Sequence, residues 1–169
     1  MRQKLAGLYL ILKDIGDFKI DSLEDRVFTQ KAIYLLQVLG VDLRYRFSWY
    51  KRGPYCRDLT FSVYDIGEQE KSYAERLRLR SRIRPALDKL KEIIAKKPED
   101  LDQASHWLEL VSSMHYLKHI AKVPGVSRES VQEHLKRVGK DFSPSQVDRA
   151  WQVLSDANLI DKKVSSLVN

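Results

Sequence analysis

The chain has 169 residues, 43% of them hydrophobic, which is enough to give one ordinary globular domain a core. Its formal charge of +7 sits in one place: the stretch from Lys71 to Lys97 carries ten basic residues against Glu75, Asp88 and Glu92, so the remainder sums to zero. A single cysteine, Cys56, excludes an internal disulfide or a multi-thiolate metal site and suits a reducing compartment, so the expected location is cytoplasmic.

The first element is predicted as a helix over residues 4–15, where Leu5, Leu8, Leu12 and Ile15 share a face and Gly16 provides the stop. Arg2 and Lys4 before the apolar run LAGLYLIL imitate a secretory leader. However, Lys13, Asp14 and Asp17 follow at once without a cleavage site, and the run is too short to cross a bilayer, so a core helix and no membrane partner are expected. A second helix begins after Asp21 or Ser22, with Glu24 and Asp25 in its first turn, and continues through Phe28, Ala32, Leu35, Leu36 and Leu39 to Gly40.

From Val41 to Tyr50 apolar and polar residues alternate, which predicts a strand with Val41, Leu43, Tyr45, Phe47 and Trp49 on one side. Gly53-Pro54 is read as the tight turn after it, since glycine accepts positive φ and proline fixes φ and lacks an N–H. Helical spacing resumes from Arg57 to Ile66 and ends at Gly67. Trp49, Tyr50, Gly53, Pro54 and Tyr55 are therefore expected to form a strand-turn-helix hub, with part of their aromatic surface open to a partner.

Residues 76–84 read RLRLRSRIR, which as a strand would put Arg76, Arg78, Arg80, Arg82 and Arg84 on one face. As a helix, Leu79, Ile83, Leu87, Leu90 and Ile94 would make an apolar stripe with arginines on both margins. Pro85 is tolerated only near a helix start, so the favoured reading is a short strand near 75–80 feeding a helix over about 82–97. Such a run is a solvated face, a clamp for an acidic protein or a non-specific hold on nucleic acid.

Beyond Pro98 three helices are predicted: about 100–121, one after Ser127, and one from Pro144 with Ser143 as its cap; Gly139 to Phe142 turns between the last two. The whole is expected to be mainly α with a small β element, a single domain of two parts: a core over 1–97 and a winged-helix-like lobe over 98–169. A groove-reading role for the last helix is disfavoured, because Arg149 is outweighed by Asp148 and Asp156.

Catalytic signals are thin. His115 and His119 stand one helical turn apart, but Tyr116 occupies the place of a metalloprotease glutamate and no third ligand is at useful spacing, so two surface histidines and no metal are expected. No nucleophile elbow, phosphate loop or dinucleotide fingerprint occurs. The triplets Asp17-Phe18-Lys19 and Asp161-Lys162-Lys163 match half of a nuclease core without the upstream acid. The chain therefore reads as a non-enzyme with no cofactor.

Three blocks, QKAIYLLQ at 30–37, FSWYKRGPYCRDL at 47–59 and the closing FSPSQVDRAWQVLSDANLI, resemble the Panacea, or SocA-like, antitoxin domain and its YwgA-like relatives over about residues 4–160. The resemblance implies a small, largely helical intracellular protein that binds and neutralises another protein. Such domains are often encoded with toxins, phage or mobile elements, and some act as adaptors presenting a bound toxin to a protease. Within these blocks Gln30, Lys31, Tyr34, Gly53 and Pro54 are the candidate structural motif residues, and Trp49, Tyr50, Lys51, Arg52, Tyr55 and Arg57 the candidate partner-binding residues. The arginine-rich stretch departs from the commoner pattern. A nucleic-acid-binding regulator is the competing class.

Overall fold

The computed structural model describes residues 1–120 and 127–160, and its chain order is α1 (Arg2–Ile15), α2 (Leu23–Val38), β1 (Ser48–Tyr50), β2 (Gly53–Tyr55), α3 (Arg57–Tyr64), α4 (Glu68–Ala74), α5 (Arg84–Ala95), α6 (Ala104–His119), α7 (Arg128–Arg137) and α8 (Pro144–Asp156). The fold is mainly α with one small antiparallel β element. The Ser22 hydroxyl accepts the Asp25 N–H at 3.0 Å while the Asp25 carboxylate accepts the Ser22 N–H at 3.0 Å, so two otherwise orphan donors are met and α2 starts where the sequence signals it.

α2 and α6 lie along one another and are buried on nearly every side, as helices at the centre of a core must be. α3 and α5 pack against α2, α1 packs on α3, α4 and α5, and α7 and α8 close over α6. One continuous apolar cluster runs from Leu5 to Leu159, with Trp107, Tyr34 and Phe47 among its largest members. The Trp107 indole N–H donates to the Ile93 carbonyl at 2.8 Å, which satisfies the one polar atom that this ring brings inside.

Four expectations are corrected. Burial alternates from Val41 to Tyr50 as the sequence predicts, yet only Ser48–Tyr50 is hydrogen-bonded as a strand. Arg44 interrupts the rest at φ 63, a left-handed conformation that no continuous strand contains. Gly53-Pro54 is not the turn: the hairpin turns at Lys51-Arg52, Tyr50 pairs with Gly53, and Trp49 pairs with Pro54. Proline is tolerated there because a two-stranded sheet leaves its missing N–H facing no neighbour.

The arginine run is neither helix nor strand at residues 77–80 and pairs with no strand among the described residues; a 3-10 turn at Ser81–Ile83 leads into α5, with Pro85 in its first turn. Leu77 and Leu79 are half-buried and the arginines exposed, so the alternation is real without a ladder. α4 was not foreseen. Its sequence EQEKSYA has almost no apolar period, and it is held by Glu70 accepting the Gly67 N–H at 3.1 Å and by packing on α1.

Candidate interaction site at the hairpin

Gln30 and Gln37 are two helical turns apart on α2 and do the same work. Gln30 donates to the Cys56 carbonyl and accepts the Cys56 N–H, both at 2.9 Å, and Gln37 does likewise with Tyr45, again at 2.9 Å each way. Between them Lys31 Nζ donates to the Pro54 carbonyl at 2.6 Å, and the Tyr34 hydroxyl pairs with His115 Nδ1 at 2.8 Å. Backbone groups that lack a strand partner are thus satisfied by α2 side chains. The blocks at 30–37 and 47–59 are two halves of one hydrogen-bonded assembly.

α6 holds the hairpin from the opposite side. The buried Glu109 carboxylate pairs with the buried Lys140 ammonium from the α7–α8 connection and has the Arg52 guanidinium 3.8 Å away, while Lys140 Nζ also donates to the Lys51 carbonyl at 3.2 Å. Both turn residues are therefore tied down. Gly53 has φ 83, and a Cβ there would lie 2.3 Å from Ser113 Oγ, so glycine is required both by conformation and by the approach of α6.

Charge in this cluster is unevenly compensated. Burial, with the neighbouring Lys140 and Arg52 cations adding to it, pushes Lys31 down to about 7, and Glu109 offsets only part of that shift. His115 is pushed down to about 3, by burial first and by His119 second. His115 and His119 are thus not a surface pair. His115 is 1% exposed, and the His119 Nε2–H, half-buried, donates to the Leu159 carbonyl at 3.0 Å. The two histidine rings pack on each other, the His115 ring also meets Tyr34 edge-on, and the described residues contain no group of three ligands fit for a metal.

A pocket of about 320 Å³ opens between α2, the hairpin and α3. Four of the expected partner-binding residues, Tyr50, Lys51, Arg52 and Tyr55, line it together with Gln30 and Lys31 of the motif. Leu23, Tyr50 and Tyr64 at its mouth are 50%, 56% and 56% exposed, an unusual concentration of apolar surface. Trp49 and Arg57 do not line it. Strand alternation turns the half-buried Trp49 to the other face, 5.5 Å from the Tyr116 ring, and Arg57 lies 5.2 Å over the exposed Phe61 ring.

Leu23, Arg26, Val27, Thr60 and Tyr64 complete the lining and were missed. Leu23 and Tyr64 carried a signal: neither belongs to its helix's buried stripe, so each was apolar surface without an interior use.

Of the arginine run, Arg84 is spent internally, its guanidinium donating to both Asp14 oxygens at 2.8 and 2.9 Å. Arg76, Arg78, Arg80 and Arg82 are exposed and in no ion pair among the described residues. On α8, Arg149 donates to the Lys96 carbonyl at 3.3 Å and Asp148 pairs with Arg128 at 3.0 Å. Lys19 pairs with Asp17 at 3.3 Å on the surface; Asp161-Lys162-Lys163 lies outside the described residues. Among the described residues no helix is long and apolar enough to cross a membrane.

Comparison with family models, curated proteins and solved structures finds no match to this chain.

Proposed function

We propose that the protein is a non-enzymatic, cytoplasmic interaction module, antitoxin-like or adaptor-like, that grips a protein partner in the hairpin pocket. The observation that carries this reading is the pairing of a rigid frame with an apolar mouth. Backbone groups of Lys51, Pro54 and Cys56 are held by buried side chains from α2 and the α7–α8 connection, while Leu23, Tyr50 and Tyr64 are left open to solvent. A preorganised aromatic surface loses little entropy on binding, which is the usual character of a binding hot spot. The exposed Lys51 beside it favours an acidic group on the partner.

The resemblance of the two interlocked blocks to antitoxin domains agrees with this role. A groove-reading regulator draws less support, because the only basic side chain of α8 is already engaged with the Lys96 carbonyl.

The test is co-purification of wild-type protein and a Tyr50→Ala/Tyr64→Ala variant from the native cell at moderate salt. One stoichiometric protein retained by the wild type and lost by the variant supports the reading, and relief of that protein's growth inhibition by co-expression makes the module an antitoxin. Nucleic-acid absorbance in place of a protein, equal for both forms, overturns it.

A further inference from the structure

The arginine run meets two other segments across a groove of about 610 Å³ that shares no lining residue with the hairpin pocket. Half-buried Leu43, Leu77, Leu79 and Ile83 form its floor, and Lys4, Arg44, Arg78, Arg80 and Arg82 are the cations on its rim. The only acid among the lining residues, Asp42, is occupied locally, accepting the Arg44 N–H at 2.9 Å. That turn holds Arg44 at φ 63, a conformation that costs a non-glycine residue roughly 1–2 kcal/mol, and so keeps a long cation where glycine would be relaxed.

Two further features select the occupant. Residues 77–80 belong to no helix or strand, Arg80 is extended at φ −63 and ψ 136, and the N–H groups of Arg78 and Arg80, which would share one edge, have no hydrogen-bond partner among the described residues, so an incoming strand finds donors waiting. In a strand laid beside them, alternate side chains would meet the exposed arginines and the apolar floor in turn. Nucleic acid fits this groove less well, because Tyr45 is its sole aromatic lining residue and is only 2% exposed, leaving no face on which a base can stack.

The geometry points to a second docking site, one that takes an extended, alternately acidic and apolar segment of a protein partner by adding it as a strand beside residues 78–80. It stands independently of the hairpin pocket. Its test uses the full chain at about 150 mM salt, where exposed charges alone are largely screened. The probes are a fluorescent peptide of about eight residues alternating glutamate and valine, a polyglutamate of the same length, and single-stranded and duplex oligonucleotides.

The expected result is binding of the alternating peptide about tenfold tighter than of polyglutamate or either oligonucleotide. That binding is lost in Arg78→Glu/Arg80→Glu, whose exposed side chains leave the core untouched, and kept in Tyr50→Ala. Amide resonances of Arg78, Leu79 and Arg80 shift on titration. Equal binding of polyglutamate would reduce the groove to a charged surface, and tighter oligonucleotide binding abolished by the same reversal would make it a nucleic-acid face. No binding, or loss on Tyr50→Ala with unshifted Arg78–Arg80 amides, overturns the proposal as well.

Discussion

Gln30 holds Cys56 by both of its backbone groups, at 2.9 Å in each direction, and so supplies from a helix what a neighbouring strand would supply in a sheet. Cys56 is 2% exposed, so water cannot take over. Gln30→Leu, which preserves size and removes both polar atoms, is expected to lower stability by about 1–3 kcal/mol, since the buried Cys56 N–H is stranded while its carbonyl keeps the Thr60 N–H at 3.3 Å. Urea denaturation reads this directly, and an unchanged midpoint would show that the clamp is dispensable.

Gly53→Ala brings two penalties that can be separated. The left-handed backbone disfavours any Cβ by roughly 1–2 kcal/mol, and the added methyl also meets Ser113 Oγ. Adding Ser113→Gly should therefore restore part of the loss but not all. Full recovery in the double variant would mean that the conformation at Gly53 carries no strain.

Lys31 gives the protein a stability that rises on the alkaline side. Unfolded, the amine titrates near 10.4; folded, it is pushed down to about 7. Between those values the unfolded chain holds a proton that the folded chain has shed, so stability increases with pH, by at most about 1.4 kcal/mol per unit from this group. Below about 7 the penalty is fully present. Measured from about pH 7 to 9, wild type should gain on Lys31→Met, which has no such proton, and parallel pH profiles would contradict the assignment.

His115 acts at the other end of the scale. Its imidazole is neutral in the fold and pushed down to about 3, whereas the unfolded residue protonates near 6.5. Acidification through that window therefore draws protons to the unfolded chain, and stability falls as pH drops from about 6.5 toward 4. His115→Gln should show a shallower loss over the same range even if it is less stable at neutral pH. A profile as steep as wild type would place the acid sensitivity elsewhere.

Helix positions were legible because local signals and tertiary need agree: Ser22 and Ser143 cap where the sequence says, and Pro85 and Pro144 sit in first turns. The stretch from Val41 to Tyr50 was legible only in its burial. Alternation reports which side faces the core, but whether a strand exists depends on a partner, and here the partner is a glutamine side chain. The hairpin pocket was half legible, since Tyr50, Lys51, Arg52 and Tyr55 are contiguous in the chain while Leu23 and Tyr64 arrive from separate helices. The burial of His115 was hidden because α6 is enclosed on nearly every side, which a one-faced helical pattern does not reveal.

The two glutamine clamps turn α2 into a ruler. Gln37 stands seven positions after Gln30, about 10 Å of helix at 1.5 Å per residue, and the chain from Tyr45 to Cys56 must leave and return at those two marks. One residue inserted between the glutamines would swing one of them about 100° off its mark, releasing either Tyr45 or Cys56. Substitution across the hairpin surface leaves the marks where they are. The exposed surface of the hairpin is therefore free to change its chemistry while its length is held fixed, a division that lets the surface drift without loss of the frame.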